Sequence, residues 1–157
     1  MSATPRIPKA EITGPYGYLL KRFSRKMLGE VPDGVAVMWH NRPVLTSLMG
    51  LGRKVEKWDQ LDANLKSFAH MAVAAQVGCS FCLDYGYFHA HNEGLDELKA
   101  SEVPRWRESS VFSPLEREVM EYAEAMTETP PTVGDELVRR LLDHLDEAQL
   151  VELTATI

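Results

Sequence analysis

Apolar residues recur at intervals of three and four in several separate segments of this 157-residue chain. The clearest segment is "SPLEREVMEYAEAMT", in which the apolar side chains fall on one face of a helix. Its Ser113 and Glu116 have the spacing of a capping box, and Pro114 lies at the first helical position. No segment alternates apolar and polar residues as a half-buried strand does. The pattern therefore predicts an all-α fold, a bundle of short antiparallel helices.

Glycine, proline and capping residues separate the predicted helices. The residues expected to end or begin a helix are Gly29, Asn41, Gly78, Thr132 and Asp146. We expect a single domain over residues 1–157. The last predicted helix restarts after Asp146, carries Leu150 and Leu153 on one side, and reaches Ile157 without a stop signal, so we expect the natural protein to continue with more helix.

The overall charge argues against two classes of partner. The formal net charge is -6, which offers no electrostatic attraction to nucleic acid or to an anionic membrane surface. The N-terminus lacks the apolar run of a signal peptide, and no stretch reaches the ~18 apolar residues of a membrane span. We therefore expect a cytoplasmic protein without nucleic-acid or membrane partners. In that reducing compartment a cysteine pair is catalytic or metal-binding more often than structural.

The chain contains two cysteines, Cys79 and Cys82, in a Cys-x-x-Cys arrangement. A thiol is a nucleophile only when it is ionised, and the free N–H groups at a helix start stabilise a thiolate. Gly78 provides such a start directly before the first cysteine. Residues three apart share one helix face, so the two sulfurs can meet in a disulfide. The spacing is typical of reversible redox chemistry.

Two other interpretations of the pair stay open. Cys79, Cys82, His89 and His91 supply the four ligands that a closed zinc site requires. However, His89 and His91 are two residues apart, and such side chains point to different sides of a helix. Alternatively, both cysteines fill an alanine-rich interface, since free cysteine is among the most buried residue types. The neighbouring aromatic residues, expected in the core or at subunit contacts, are Phe81, Tyr85, Tyr87 and Phe88.

The segments "GCSFCLDYGYFHAHNEG" and "FSPLEREVMEYAEAMTETPPTVGDELVRRL" resemble the carboxymuconolactone decarboxylase superfamily, and within it the alkylhydroperoxidase D (AhpD)-like branch. The resemblance extends over about residues 39–157. It implies an all-helical protein that assembles as a homo-trimer or homo-hexamer and needs no cofactor or metal. It also implies a small peroxide or disulfide substrate, with electrons supplied by a partner dithiol protein.

Peroxidase members of this branch share the motif Glu-x11-Cys-x-x-Cys-x3-His, whose glutamate and histidine relay protons. By resemblance, Cys79 is the resolving thiol and Cys82 the thiol that peroxide oxidises, whereas the helix-start argument favours Cys79 as the more acidic thiol. The prediction is therefore limited to the pair. The relay is missing, because Ser67 and Gly86 stand where the family has glutamate and histidine.

His89 and Tyr85 are the candidates for replacing the missing base. His89 lies two turns beyond Cys82 on the same face, and the rise of ~10 Å is too long for a direct hydrogen bond. Tyr85, Asp84 or a water in the space left by Gly86 would have to bridge that distance. Because Gly86 lies inside a predicted helix, alanine there is expected to stabilise the fold by up to ~1 kcal/mol.

Three functions remain as alternatives. The first is a thiol peroxidase or disulfide oxidoreductase that uses the cysteine pair. The second is a non-enzymatic oligomeric or redox-sensing protein with a vestigial site, and the third is a cofactor-free decarboxylase, a branch that generally lacks the pair. Trp39, Trp58 and Trp106 would leave apolar patches on a monomer, which favours a closed oligomer.

Overall fold

A computed structural model of the chain describes residues 5–157, apart from the side chains of Met27, His89, Ala90 and Glu93. Within these residues the regular structure is helical, and no strand occurs. The helices are α1 (Gly14–Leu28), α2 (Asp33–Met38), α3 (Arg42–Val55), α4 (Ala63–Val77), α5 (Ser80–Glu93), α6 (Glu97–Glu102), α7 (Pro114–Thr127), α8 (Asp135–Leu142) and α9 (Glu147–Thr156). The all-α prediction is confirmed.

The chain divides into two compact units, an N-terminal unit that ends at Lys57 and a C-terminal unit, Trp58–Ile157. The N-terminal unit contains α1, α2 and α3 around a small core formed by Ile12, Leu20, Trp39 and Leu45. No helix within residues 5–157 combines the length and apolar character needed to cross a bilayer.

Most of the predicted helix ends are present. The Asn41 side chain accepts a hydrogen bond from the Val44 N–H at 3.3 Å, and Ser113 forms the predicted capping box with Glu116. The expectation for Thr132 is wrong. Helix α8 begins after Gly134 without a side-chain cap. The Thr132 N–H instead donates to the carbonyl of Ala125 at 2.9 Å, closing the turn after α7.

Helix α4 occupies the core of the C-terminal unit. Its Ala69 and Ala72 have no exposed surface, and small side chains there allow close packing against α7. Phe68 is also buried and meets Phe112 edge-to-face, with ring centroids 5.6 Å apart. Because its residues pack on several neighbouring helices, α4 fixes the position of the cysteine segment that follows it.

Two tryptophans are buried, contrary to the expectation that they leave apolar patches. Trp39 is 6% exposed in the N-terminal unit, and Trp106 is 5% exposed in the C-terminal unit. Trp106 can be buried because its indole N–H donates to Glu124 at 2.8 Å. Exposed apolar side chains of the described residues include several on α1, α3 and α5, with others on α4, α6, α8 and α9.

Candidate functional site

The cysteine pair lies where α4 ends and α5 begins. Gly78 ends α4 with φ 71°, in the left-handed region that glycine adopts without strain. The Cys79 N–H then donates to the carbonyl of Ala74 at 2.9 Å, which fixes the first cysteine against the end of α4. Cys79 becomes the N-cap residue of α5. The predicted break at Gly78 is therefore the feature that positions the pair.

Cys79 and Cys82 form a disulfide, with their Cα atoms 5.3 Å apart. The Cys82 backbone N–H donates to the Cys79 sulfur at 3.3 Å. Both residues are partly exposed. After reduction, the same N–H and the helix start would stabilise negative charge on the Cys79 sulfur.

Helices α4 and α5 are in close contact at Gly86. A Cβ atom added to Gly86 would lie 2.6 Å from Cγ of Met71, a side chain that is only 2% exposed. Real Cβ atoms essentially never approach that closely. The Met71 side chain thus occupies the space beside Gly86 that the sequence suggested for a bridging water. A side chain at position 86 requires Met71 to move.

The two candidate replacement bases are both on α5. Tyr85 lies three residues after Cys82 and is half-buried. The side chain of His89 lies outside the described residues, so its predicted role stays a prediction. The Tyr87 side chain packs on the core, and burial, together with the charge of Asp84, raises the pKa of its hydroxyl.

Three of the four proposed zinc ligands have described side chains, and each of these three has another partner; the side chain of His89 lies outside the described residues. Cys79 and Cys82 are bonded to each other. The imidazole Nδ1 of His91 lies 2.6 Å from a carboxylate oxygen of Glu97, and this contact joins α5 to α6. Among the residues that the structure describes, no group of three or more His, Cys, Asp or Glu residues could hold a metal ion.

Three large apolar side chains close to the disulfide in the sequence are exposed, and the sequence pattern does not predict that exposure. Val77 is 59% exposed, Phe81 58% and Phe88 40%. Of the aromatic residues expected in the core or at contacts, Tyr87 is packed on the core, whereas Phe81 and Phe88 are exposed. Phe81 stands between the two cysteines in the sequence and is exposed.

A model of the carboxymuconolactone decarboxylase family matches residues 43–125, a range that runs from α3 to α7 and includes the disulfide. The chain belongs to this family. It is 36% identical over 135 residues to YnjA, an uncharacterised protein of Escherichia coli strain K12, with 85% of this chain and 74% of YnjA covered.

Solved structures of two further proteins are similar to this chain. The debrominase Bmp8, crystallised with 2,3,4-tribromopyrrole, aligns with a TM-score of 0.77 and 20% identity, over 90% of this chain and 76% of Bmp8. The second is ATU0492, a protein of unknown function from Agrobacterium tumefaciens, for which a role in antioxidant defence as AhpD has been suggested. It aligns with a TM-score of 0.71 and 21% identity, over 76% of this chain and 82% of that protein. At 20% and 21% identity, the structural similarity shows only that this chain has the AhpD-like fold.

Proposed function

We propose that this member of the carboxymuconolactone decarboxylase family is a thiol–disulfide redox enzyme of the AhpD-like kind. The observation that carries the proposal is the Cys79–Cys82 disulfide at the start of α5. It joins two partly exposed residues, and the Cys82 backbone N–H that donates to the Cys79 sulfur favours a thiolate there. The suggested antioxidant role of ATU0492, which shares the fold, supports the same chemistry.

The proposed cycle balances with a peroxide as oxidant. One cysteine thiolate attacks a peroxide oxygen, the O–O bond breaks, and the products are a sulfenic acid and an alcohol or water. The second thiol then attacks the sulfenic sulfur, water leaves, and the Cys79–Cys82 disulfide forms. A partner dithiol protein returns two electrons and two protons by thiol–disulfide exchange. The chemistry requires no cofactor. The cytoplasmic location and a dithiol protein as the electron donor stay predictions.

A second candidate function is a redox sensor, in which the cysteine pair is oxidised once and is not rapidly reduced again. Its specific support is the absence of the family's proton relay, since Ser67 and Gly86 replace the glutamate and the histidine. The Met71 side chain also fills the space beside Gly86. The two functions differ in turnover rather than in the ability to form the disulfide. The decarboxylase alternative rests on the family's name.

Thiol counting tests the proposal. Treatment with dithiothreitol should expose two thiols per chain, and stoichiometric organic hydroperoxide should remove both. Repeated cycling with dithiothreitol and peroxide indicates an enzyme, whereas a single oxidation without turnover indicates the sensor. Cys79→Ser and Cys82→Ser serve as controls, because neither can close the disulfide. Two thiols that react with neither peroxide nor an added disulfide would contradict both functions.

The structure also predicts which thiol is more reactive. In the reduced Cys82→Ser variant, the Cys79 sulfur keeps the helix start and the N–H of residue 82 as stabilising partners. We therefore expect iodoacetamide at neutral pH to modify Cys79 in that variant faster than Cys82 in the Cys79→Ser variant, by about tenfold. Equal rates for the two variants would show that the helix start does not activate Cys79.

A further inference from the structure

A peroxide and an organic disulfide make different demands on the surroundings of a thiolate. Attack on a peroxide expels hydroxide or an alkoxide, whose conjugate acid has a pKa of ~16, so a proton donor nearby speeds the reaction. Attack on a disulfide expels a thiolate, whose conjugate acid has a pKa of ~8.5 and which leaves without a proton. The groups around Cys79 and Cys82 therefore indicate which oxidant suits the pair.

Where α5 meets the core beside Cys82, the described side chains carry no transferable proton. Gly86 lies one turn after Cys82 on the same side of the helix, and the Met71 side chain fills the space next to it. Leu83, the residue directly after Cys82, packs on the core. A thioether and an alkyl chain cannot protonate a departing alkoxide. This side of α5 therefore suits a leaving group that needs no proton.

The charge of Asp84 acts along α5. Burial together with this charge raises the pKa of the Tyr87 hydroxyl, which makes that hydroxyl a weaker proton donor than an ordinary tyrosine. Asp84 is exposed and follows Cys82 by two residues, a spacing that places the two Cα atoms ~5.5 Å apart in a helix. The electrostatic potential at Cys82 therefore includes a negative contribution from this carboxylate.

The chain around the cysteines contains no residue of fixed positive charge. Residues 67–98 include four Asp and Glu but no Lys or Arg. Gln76, in the last turn of α4, lines a cleft of about 490 Å³ whose charged residues are two arginines and four glutamates, a net charge of -2. The cysteines and the cleft belong to the same C-terminal unit. A negative potential attracts cations and repels anions, so we expect the pair to discriminate between oxidants by charge.

We propose that the Cys79–Cys82 dithiol is oxidised by an organic disulfide rather than by a peroxide, and that Asp84 selects a disulfide without negative charge. The inference rests on the proposed function, because it names a different oxidant for the same pair. A cationic or neutral disulfide fits both observations, since its leaving thiolate needs no proton donor and the carboxylate does not repel it. Asp84 is a specificity-determining residue and takes no part in bond formation.

The proposed step balances in atoms and electrons. The thiolate of one cysteine attacks a sulfur of the substrate, the substrate S–S bond breaks, and one thiol leaves while a mixed disulfide remains on the protein. The second cysteine attacks the protein sulfur of that mixed disulfide, and the second thiol leaves as the Cys79–Cys82 disulfide forms. The substrate gains two electrons and the two protons of the cysteine thiols. The partner dithiol protein of the proposed function then reduces the pair again.

Four oxidants test the choice of substrate on the full chain. The reduced protein is mixed at neutral pH with hydrogen peroxide, with the dication cystamine, with neutral 2-hydroxyethyl disulfide or with the dianion 3,3′-dithiodipropionate. Each rate of thiol loss is divided by the rate of the same oxidant with dithiothreitol, which removes the oxidant's own reactivity. We expect this relative rate to fall from cystamine to the neutral disulfide to the dianion, and the relative rate with peroxide not to exceed that with the neutral disulfide.

A relative rate with peroxide above that with the neutral disulfide would overturn the inference. Such an excess requires a proton donor at the site, since general acid catalysis contributes ~10²–10⁴-fold. A relative rate with the dianion equal to or above that with cystamine would overturn the selection by charge.

Asp84→Asn tests the selecting residue, because it removes the charge and keeps the shape of the side chain. Glu108→Gln is the matched control, since it removes one charge at another exposed position of the same unit. We expect Asp84→Asn to slow cystamine about threefold, to speed dithiodipropionate about threefold, and to leave the neutral disulfide unchanged, with both changes shrinking at ~0.5 M salt. An equal change with all three disulfides, or the same pattern in Glu108→Gln, would overturn the role of Asp84.

The same rates separate this inference from the proposed function. Fast oxidation by peroxide and slow oxidation by every disulfide would contradict the disulfide substrate and leave the enzyme standing. Two thiols that none of the four oxidants removes would contradict the proposed function itself.

Discussion

Replacing Lys66 with methionine should lower the free energy of unfolding of the C-terminal unit by about 2–4 kcal/mol at neutral pH. The Lys66 ammonium lies 2.8 Å from a carboxylate oxygen of Glu152, whose side chain is only 6% exposed. The other Glu152 oxygen accepts from the Gln60 N–H at 2.9 Å. The carboxylate thus joins α9 to α4 and to the segment before it. Methionine removes the cation and leaves a buried negative charge.

The predicted loss depends on pH. Burial raises the pKa of Glu152, but hydrogen bonds from Lys66 and from the Gln60 and Leu61 N–H groups outweigh it, so the pKa lies below its ordinary value of 4.5. A depressed carboxyl pKa gives stability that is present above the unfolded-state pKa and lost as pH falls through the folded-state pKa. The difference between wild type and Lys66→Met should therefore shrink below about pH 4.5.

Urea denaturation at neutral and acidic pH measures both effects. Lys99→Met is the matched control, because Lys99 pairs with Glu116 at 2.7 Å but is itself 25% exposed, against 16% for Lys66. We expect a smaller loss for the control, since solvent screens its pair more strongly. Equal losses of stability for the two variants, or a Lys66→Met loss that does not change with pH, would show that the Lys66–Glu152 ion pair does not stabilise the protein in the way argued.

Sequence reasoning succeeded where a local signal determines the structure. The end of α4 at Gly78 and the capping box at Ser113 depend on residues within four positions of one another, so the pattern contains the necessary information. Helices α2 and α6 have six residues each, fewer than two turns, and leave too little periodicity to detect. Thr132 carried a plausible capping signal, but its N–H is used in a turn.

At the site, the sequence predicted the pair but not its surroundings. The spacing of Cys79 and Cys82 brings the sulfurs together, as the disulfide shows. The close contact of Met71 with Gly86 joins two different helices, and no spacing rule reveals which side chain faces a glycine across such an interface. The stabilisation expected for Gly86→Ala is therefore not supported by the structure. The added methyl group would collide with a buried side chain.

The contact at Gly86 determines how the missing proton relay can be restored. Ser67 lies one helical turn before Met71 on the same face of α4, the face that meets α5 at Gly86. The positions where the family has glutamate and histidine therefore lie on facing helices. Gly86→His alone should fail, because overpacking a buried contact costs about 1–3 kcal/mol. Met71→Ala removes the obstructing atoms, and the imidazole refills part of that volume.

The triple variant Ser67→Glu, Met71→Ala, Gly86→His should therefore be oxidised by peroxide faster than wild type by ~10²–10⁴-fold at neutral pH, the usual contribution of general acid–base catalysis. The control carries Ser67→Glu, Met71→Ala and Gly86→Ala, so that the two proteins differ only in the imidazole. Stopped-flow oxidation of the reduced thiols gives the rates, and urea denaturation checks that both variants fold.

The comparison has two outcomes that contradict this account of a weakened site. If the alanine control is as fast as the histidine variant, the gain comes from opening the α4–α5 contact rather than from a base. If the wild type is already fast and His89→Ala slows it strongly, then His89 serves as the base, and loss of the family histidine at Gly86 has been compensated two turns away. Position 86 lies four residues after Cys82, one turn along α5, so a histidine there can lie near the Cys82 sulfur. In the wild type Met71 fills the space that its side chain would need, so we expect faster oxidation only when Met71 is also replaced.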